Sequence, residues 1–217
     1  MGSIRSTSLA DQVFDRLEDD IIQGRYPRGE MLTELRLAQE LGVSRTPIRE
    51  ALRQLEQERL IESVGKGSRV LGITQEDLVD IMTIRERVES LSTYYAVQNM
   101  TMEGLKEVAD IVDLQDFYFS RRDAAHLHLV DDRFHDAICH LCGRPVLIDT
   151  LMPLLRKTRR YRKISLEDWD RTTQTKQEHF EIYQAIASAD AELAEQRMRQ
   201  HIANAKAHMM KGRDENA

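Results

Sequence analysis

Apolar residues recur at helical spacing from the start of the chain. Leu9, Val13, Leu17 and Ile21 lie four apart and predict a helix over about 7–22. The breaker-rich stretch Gly24-Arg25-Tyr26-Pro27-Arg28-Gly29 predicts a loop. A second helix is expected over about 33–41, then a tight turn at Gly42-Val43-Ser44. Ser44 is placed to cap a third helix running to about Arg59, with Pro47 in its first turn, where a missing N–H costs nothing. Residues 61–73 break the pattern: two short apolar runs flank Gly65-Lys66-Gly67, which reads as a β-hairpin.

From Thr74 onward the period is helical throughout. Six helices are expected, over about 75–98 (capped by Thr74), 102–120, 124–141, 145–164, 172–188 and 191–210. Asp123 and Asp190 stand where N-caps belong, and Pro153 is expected to kink the fourth of these helices. The fold expected is therefore mainly α: an N-terminal winged helix-turn-helix over 1–72, then an all-helical antiparallel bundle of about six helices over 73–217.

Composition narrows the class. Hydrophobic residues make up 41% and charged residues 31%, a globular balance. No window holds 18 apolar residues, so no membrane helix is expected. The N-terminal stretch lacks the apolar core of a secretory signal. Two cysteines, Cys139 and Cys142, do not make a disulfide framework, so a cytoplasmic location is expected. The net charge of −6 argues against a nucleic-acid binder until its distribution is considered. Residues 21–71 carry nine Lys/Arg against seven Asp/Glu, whereas residues 73–217 carry 20 against 25. The basic excess is local to the helix-turn-helix.

Within that region Ala38 lets two helices cross closely and Gly42 permits a left-handed turn. Val43, Ile48, Ala51, Leu52 and Leu55 form a buried face. Ser44, Arg45, Thr46 and Arg49 lie at or near the N-terminus of the third helix, the end that a recognition helix points into the major groove. Arg45 and Arg49 are one turn apart and can each address guanine O6 and N7, while hydroxyls and helix N-terminal amides hold phosphates. Lys66 and Gly67 at the hairpin tip suit a backbone or minor-groove contact. The plainer alternative is a three-helix bundle with exposed arginines.

These residues resemble the GntR family of regulators. The matching stretches are Leu37-Ala38, the run from Gly42 to Leu52, Leu55-Glu56, Leu60-Ile61 and the wing Gly67-Ser68-Arg69-Val70. One departure stands out. Many relatives carry Glu-Arg early in the second helix and use that Arg on DNA, whereas here the pair is Glu34-Leu35. Arg36 is the substitute offered, although it projects about 100° away.

The helical region carries a second signal. Asp131 and His135 fall inside the stripe Leu127, Val130, Phe134 and Ile138. His179 shares a face with Ile182, Tyr183 and Ile186, and His201 shares one with Ala194, Met198 and Ala205. A buried carboxylate with three imidazoles is costly unless something satisfies it. A divalent metal does so; imidazole suits Zn, Ni, Cu or Fe, and carboxylate extends the choice to Mn. The alternative is four separately satisfied core residues.

This region resembles the FCD-type ligand-binding domain of the FadR subfamily, through Asp131-x-x-Phe134-His135, Glu178-His179, Ala185-Ile186, Asp190 and Met198-x-x-His201-Ile202. Six helices fit the shorter, VanR-like branch. The resemblance implies a metal ion, Zn or Ni first and Mn next, held by Asp131, His135, His179 and His201, with an organic acid or water completing its shell.

Arg85 lies on the inner face of its helix with Leu78, Ile81 and Met82. It has two readings: a clamp for an effector carboxylate, or half of an Arg85–Glu89 pair one turn apart. Cys139-His140-Leu141-Cys142 lacks the second pair of a zinc ribbon and the context of a redox site, so inert cysteines are expected. The basic run from Arg156 to Lys163 reads as a solvated helix face, with a phosphate-contact or effector-pocket role for one Arg as the alternative.

Together these readings predict a non-enzymatic regulator. It would act as a homodimer on two-fold related operator half-sites in double-stranded DNA, with affinity controlled by a small carboxylate joined to the metal. Three rivals stand beside it: a metal-dependent hydrolase, a sensor of the ion itself, and a metal-free domain whose histidines bind effector directly.

Overall fold

The computed structural model describes residues 8–214, with side chains described through Lys211. Within it the chain divides into two compact units, parted between Gln75 and Glu76.

The first unit holds α1 (Leu9–Ile22), β1 (Met31–Leu32), α2 (Glu34–Leu41), α3 (Arg45–Gln57), β2 (Ile61–Val64) and β3 (Gly67–Val70). Helix α1 starts in a capping box: the Ser8 hydroxyl accepts from the Asp11 amide, and the Asp11 carboxylate accepts from the Ser8 amide. The expected start at Thr7 lies outside the described residues. Thr33 caps α2 by accepting from the Arg36 amide. Gly42 ends α2 in the left-handed conformation, φ +66°, which turns the chain into α3. Ser44 occupies the N-cap position of α3, but its hydroxyl makes no capping hydrogen bond. Helix α3 ends at Gln57, short of Arg59, which itself takes a left-handed φ of +57°.

The hairpin is present, and a third strand joins it. Strand β1 pairs antiparallel with β3, giving the order β1-β3-β2. Two residues of strand carry too little periodicity to be read from sequence. Gly67 has a packing reason to be glycine: a Cβ there would stand 2.8 Å from the Leu32 carbonyl oxygen. Leu17, Leu37, Ile48, Leu55 and Val70 close one core beneath the helices and the sheet.

The second unit is helical among its described residues: α4 (Gln75–Gln98), α5 (Met102–Ser120), α6 (Ala124–Leu141), α7 (Pro145–Ser165), α8 (Trp169–Ala187) and α9 (Ala191–Asp214). Each connection is three residues long, short enough to reverse the chain every time. Helix α5 packs on α6 and α8, α6 on α7, and α9 on α7 and α8. Asp123 caps α6 and Asp190 accepts from the Leu193 amide. Helix α8 starts three residues earlier than the apolar pattern indicates, because Asp168 accepts from the Asp170 and Arg171 amides. Helix α7 continues through Pro153 to Ser165.

Candidate functional site

Three helices deliver three imidazoles to one point. His135 on α6, His179 on α8 and His201 on α9 are all buried, and their ligating nitrogens lie within 4.8 Å of one another. Their Nε2 atoms face each other, 3.3 Å apart for His179 and His201 and 3.4 Å apart for His201 and His135. Asp131, one turn before His135, brings Oδ1 to 3.9 Å from His135 Nε2 and 3.8 Å from His179 Nε2. The four residues singled out from the sequence therefore do converge.

The far side of each ring is also taken. His135 Nδ1 pairs with Glu89 Oε1 from α4. His179 Nδ1 lies 3.2 Å from Gln115 Oε1 of α5, and His201 Nδ1 lies 2.7 Å from Glu178 Oε2 of α8. An oxygen acceptor at Nδ1 places the proton of a neutral ring there and leaves the Nε2 lone pair facing inward. Three inward lone pairs repel one another unless a cation lies between them. The donor set fits such an ion, because three nitrogens each about 2.1 Å from one centre stand about 3.0–3.4 Å apart. Burial holds the imidazole of His179 well below its ordinary pKa, and the adjacent His201 and His135 push it the same way. Burial also lowers His201, against the opposing hydrogen bond to Glu178. Both effects keep the rings of His179 and His201 neutral, the form that ligates metal.

The supporting layer is rich in paired charge. Glu89 bridges two groups: Oε1 meets His135, while Oε2 accepts from Arg85 Nε at 2.9 Å. Arg85 is fully buried and its Nη1 donates to Thr158 Oγ1 at 3.0 Å. The Arg85–Glu89 pair is thus made. Arg162 of α7 donates from Nη1 to the same Thr158 hydroxyl at 3.1 Å, pairs through Nη2 with Asp132, and sets Nε 3.0 Å from Asp131 Oδ2. That last contact has the distance of an ion pair without hydrogen-bond alignment, and both atoms lack another partner. Arg171 forks onto Glu178 at 3.0 and 2.8 Å, and Asn204 donates to Glu178 at 2.7 Å.

A cavity of about 20 Å³, room for about one water, lies against Arg85, Asp131, His135, Arg162, Arg171 and His201. Gln115 and Arg171 were not singled out by sequence reading, while Glu89 entered only as a helical partner for Arg85, Glu178 only within the resemblance, and Arg162 only as one of a basic run. Arg162 belongs to the run expected to be solvated, yet it is turned inward and buried. Its placement at helical spacing from buried Leu151, Leu155 and Thr158 was the available signal. Cys139 and Cys142 are buried free thiols, and burial raises Cys139 to about 12, which leaves it unreactive.

In the first unit Arg45, Thr46 and Arg49 lie exposed on the first turns of α3, beside the open N-cap at Ser44. Arg49 donates from Nε and Nη2 to the two carboxylate oxygens of Glu34, at 2.8 and 2.9 Å. Lys66 sits in the two-residue turn before Gly67, at the tip of the hairpin. Arg36 is engaged elsewhere: it donates to Glu30 at 2.6 Å and to Glu40 at 2.7 Å, with its guanidinium 5.7 Å from the centre of the Tyr26 ring.

Comparison with known proteins follows the same division. Residues 9–70 match the model of bacterial regulatory proteins of the gntR family, and residues 80–204 match that of the FCD domain. The probable D-xylose utilization operon transcriptional repressor of Paenarthrobacter nicotinovorans is 29% identical over 214 residues, covering 91% of this chain and 87% of that protein. The gluconate operon transcriptional repressor of Bacillus licheniformis is 28% identical over 182 residues, covering 80% and 73%. Among solved structures, McbR/YncC of E. coli superposes with a TM-score of 0.79 at 22% identity, covering 94% of this chain and 98% of that one. These relatives are transcriptional regulators rather than enzymes. No described helix is long and apolar enough to cross a membrane.

Proposed function

Because the chain belongs to the gntR family of bacterial regulatory proteins and carries an FCD domain, we propose that it is a repressor whose grip on its operator is set by a small carboxylate bound beside a divalent ion. The observation that carries this reading is the orientation of three imidazoles, each held at Nδ1 by an acceptor and each presenting Nε2 to the same point. His135, His179, His201 and Asp131 would hold the ion, with Zn or Ni first and Mn next. The ion supplies positive charge and open coordination positions to a carboxylate. Arg85, Arg162 and Arg171 border the same cavity and favour an acid over a neutral ligand. The cavity has room for about one water, so an acid larger than that would shift side chains at its border on entry. This rearrangement is what would let the site report occupancy.

In the reading head Arg45 and Arg49 address bases. Ser44, Thr46 and the wing residues Lys66 and Gly67 fix register on phosphates. A homodimer on two-fold related half-sites follows from the few bases one such head can reach.

The test is thermal melting of chelator-treated protein refilled with Zn, Ni or Mn, with and without a panel of small carboxylates. A ligand that binds only the folded state raises the melting temperature, by the equivalent of about 2.7 kcal/mol at a hundredfold excess over Kd. Stabilisation by metal, with further stabilisation by one acid only when metal is present, supports the proposal. Acid binding that is indifferent to metal would overturn it.

A further inference from the structure

Several arginines of the reading head are paired with carboxylates. Arg36 is held by Glu30 and Glu40, Arg69 by Glu62, and Arg49 by Glu34. The third case differs, because Arg49 is the base-reading candidate and its partner comes from another helix. Glu34 opens α2 and Arg49 lies on α3, and both border a groove of about 400 Å³ between α3 and the wing that also touches Lys66 and Gly67. A carboxylate in that place costs affinity for a polyanion, so its presence requires a compensating gain.

The fork geometry supplies one. A guanidinium has two edges that present parallel N–H pairs. Glu34 occupies the edge formed by Nε and Nη2. The outer edge, Nη1 with the second hydrogen of Nη2, is the pair that addresses guanine O6 and N7. The carboxylate therefore leaves base reading intact, orients the group before DNA arrives, and cancels the charge by which Arg49 would grip any phosphate. We propose that Glu34 is a specificity-determining residue: it buttresses Arg49 so that this arginine discriminates bases and contributes little to sequence-independent binding. The proposal rests on Arg49 as a base reader.

The experiment uses the full chain. A randomised duplex library is enriched with the wild type, and the most enriched duplex is compared with a scrambled duplex of equal length across a salt series. For Glu34→Gln the expected result is at least threefold tighter binding to the scrambled duplex. The slope of log K against log salt should steepen by about one. The ratio of enriched to scrambled affinity should fall about tenfold. Glu50→Gln removes the same charge from an exposed position on α3 and should move none of these by a comparable amount. In an Arg49→Ala background, Glu34→Gln should have no further effect on the ratio. An unchanged ratio in Glu34→Gln, an equal effect of Glu50→Gln, or a full effect persisting without Arg49 would each overturn the proposal. So would a switch of preferred base at a cytosine, which would make Glu34 a reader itself. If Arg49→Ala leaves the enriched duplex bound as before, the base-reader assignment fails instead.

Discussion

Arg49–Glu34 and Arg85–Glu89 are the same chemical pair in two settings. The first is exposed, with 68% and 31% of the two side chains accessible; the second is 1% accessible on both sides. In water the pair is screened and exchangeable, and contributes about 0–1 kcal/mol. In the interior neither member can be removed without stranding the other. The exposed pair can therefore trade partners when DNA arrives, whereas the buried pair is committed to holding its neighbours. In the helical unit those neighbours are His135, through Glu89, and Thr158 with Arg162, through Arg85. Exposure makes a reading surface adaptable and burial makes a ligand set rigid.

The largest test of this contrast is Glu89→Ala. It leaves Arg85 buried without its anion and frees His135 Nδ1, and it should cost the helical unit about 3–5 kcal/mol. Denaturant unfolding followed by Trp169 fluorescence checks this, since the chain has one Trp and it lies on α8. A loss under about 1 kcal/mol would mean the buried pair behaves like a surface one.

Acid should separate the two units next. His179 and His201 titrate below their ordinary 6.5 when folded, so the unfolded chain takes up protons first and stability falls as pH drops below about 6.5. Burial raises Glu178, yet hydrogen bonds from His201 and Arg171 hold it down to about 2. Its contribution is therefore full above the ordinary 4.5 and is lost as pH falls from there toward 2. In chelator-treated protein the Trp169 signal should be lost at a higher pH than the helical content of the reading head. Coincident transitions would contradict this.

The smallest perturbation of the fold is Arg49→Ala. Stability should change by under about 0.5 kcal/mol, while binding to a selected operator weakens by about 1–3 kcal/mol in a gel or anisotropy titration. A stability loss as large as the binding loss would show that the exposed pair is structural.

Much of this molecule was legible from residue order. The helix-turn-helix declared itself through Gly42, whose left-handed φ no bulky residue adopts cheaply, and through the apolar spacing that buries Ile48, Ala51 and Leu55. The wing was legible as a hairpin, but its partner strand β1 was not, because two residues paired across more than 30 positions leave no local periodicity. Asp131, His135, His179 and His201 could be assigned to inward faces from the 3.6-residue period alone. That period is a property of each helix by itself, so it shows which way a side chain points without showing what it meets. Only the packing of six helices decided that Glu89, Gln115 and Glu178 stand behind the three rings and that Arg162 leaves its basic run to border the cavity, and only the fold of the first unit decided that Arg36 meets Glu30 and Glu40. Local sequence determines direction and secondary structure through short-range sterics and hydrogen bonds. The pairing of charges distant along the chain is decided by tertiary structure, where desolvation makes each buried group depend on the partner beside it.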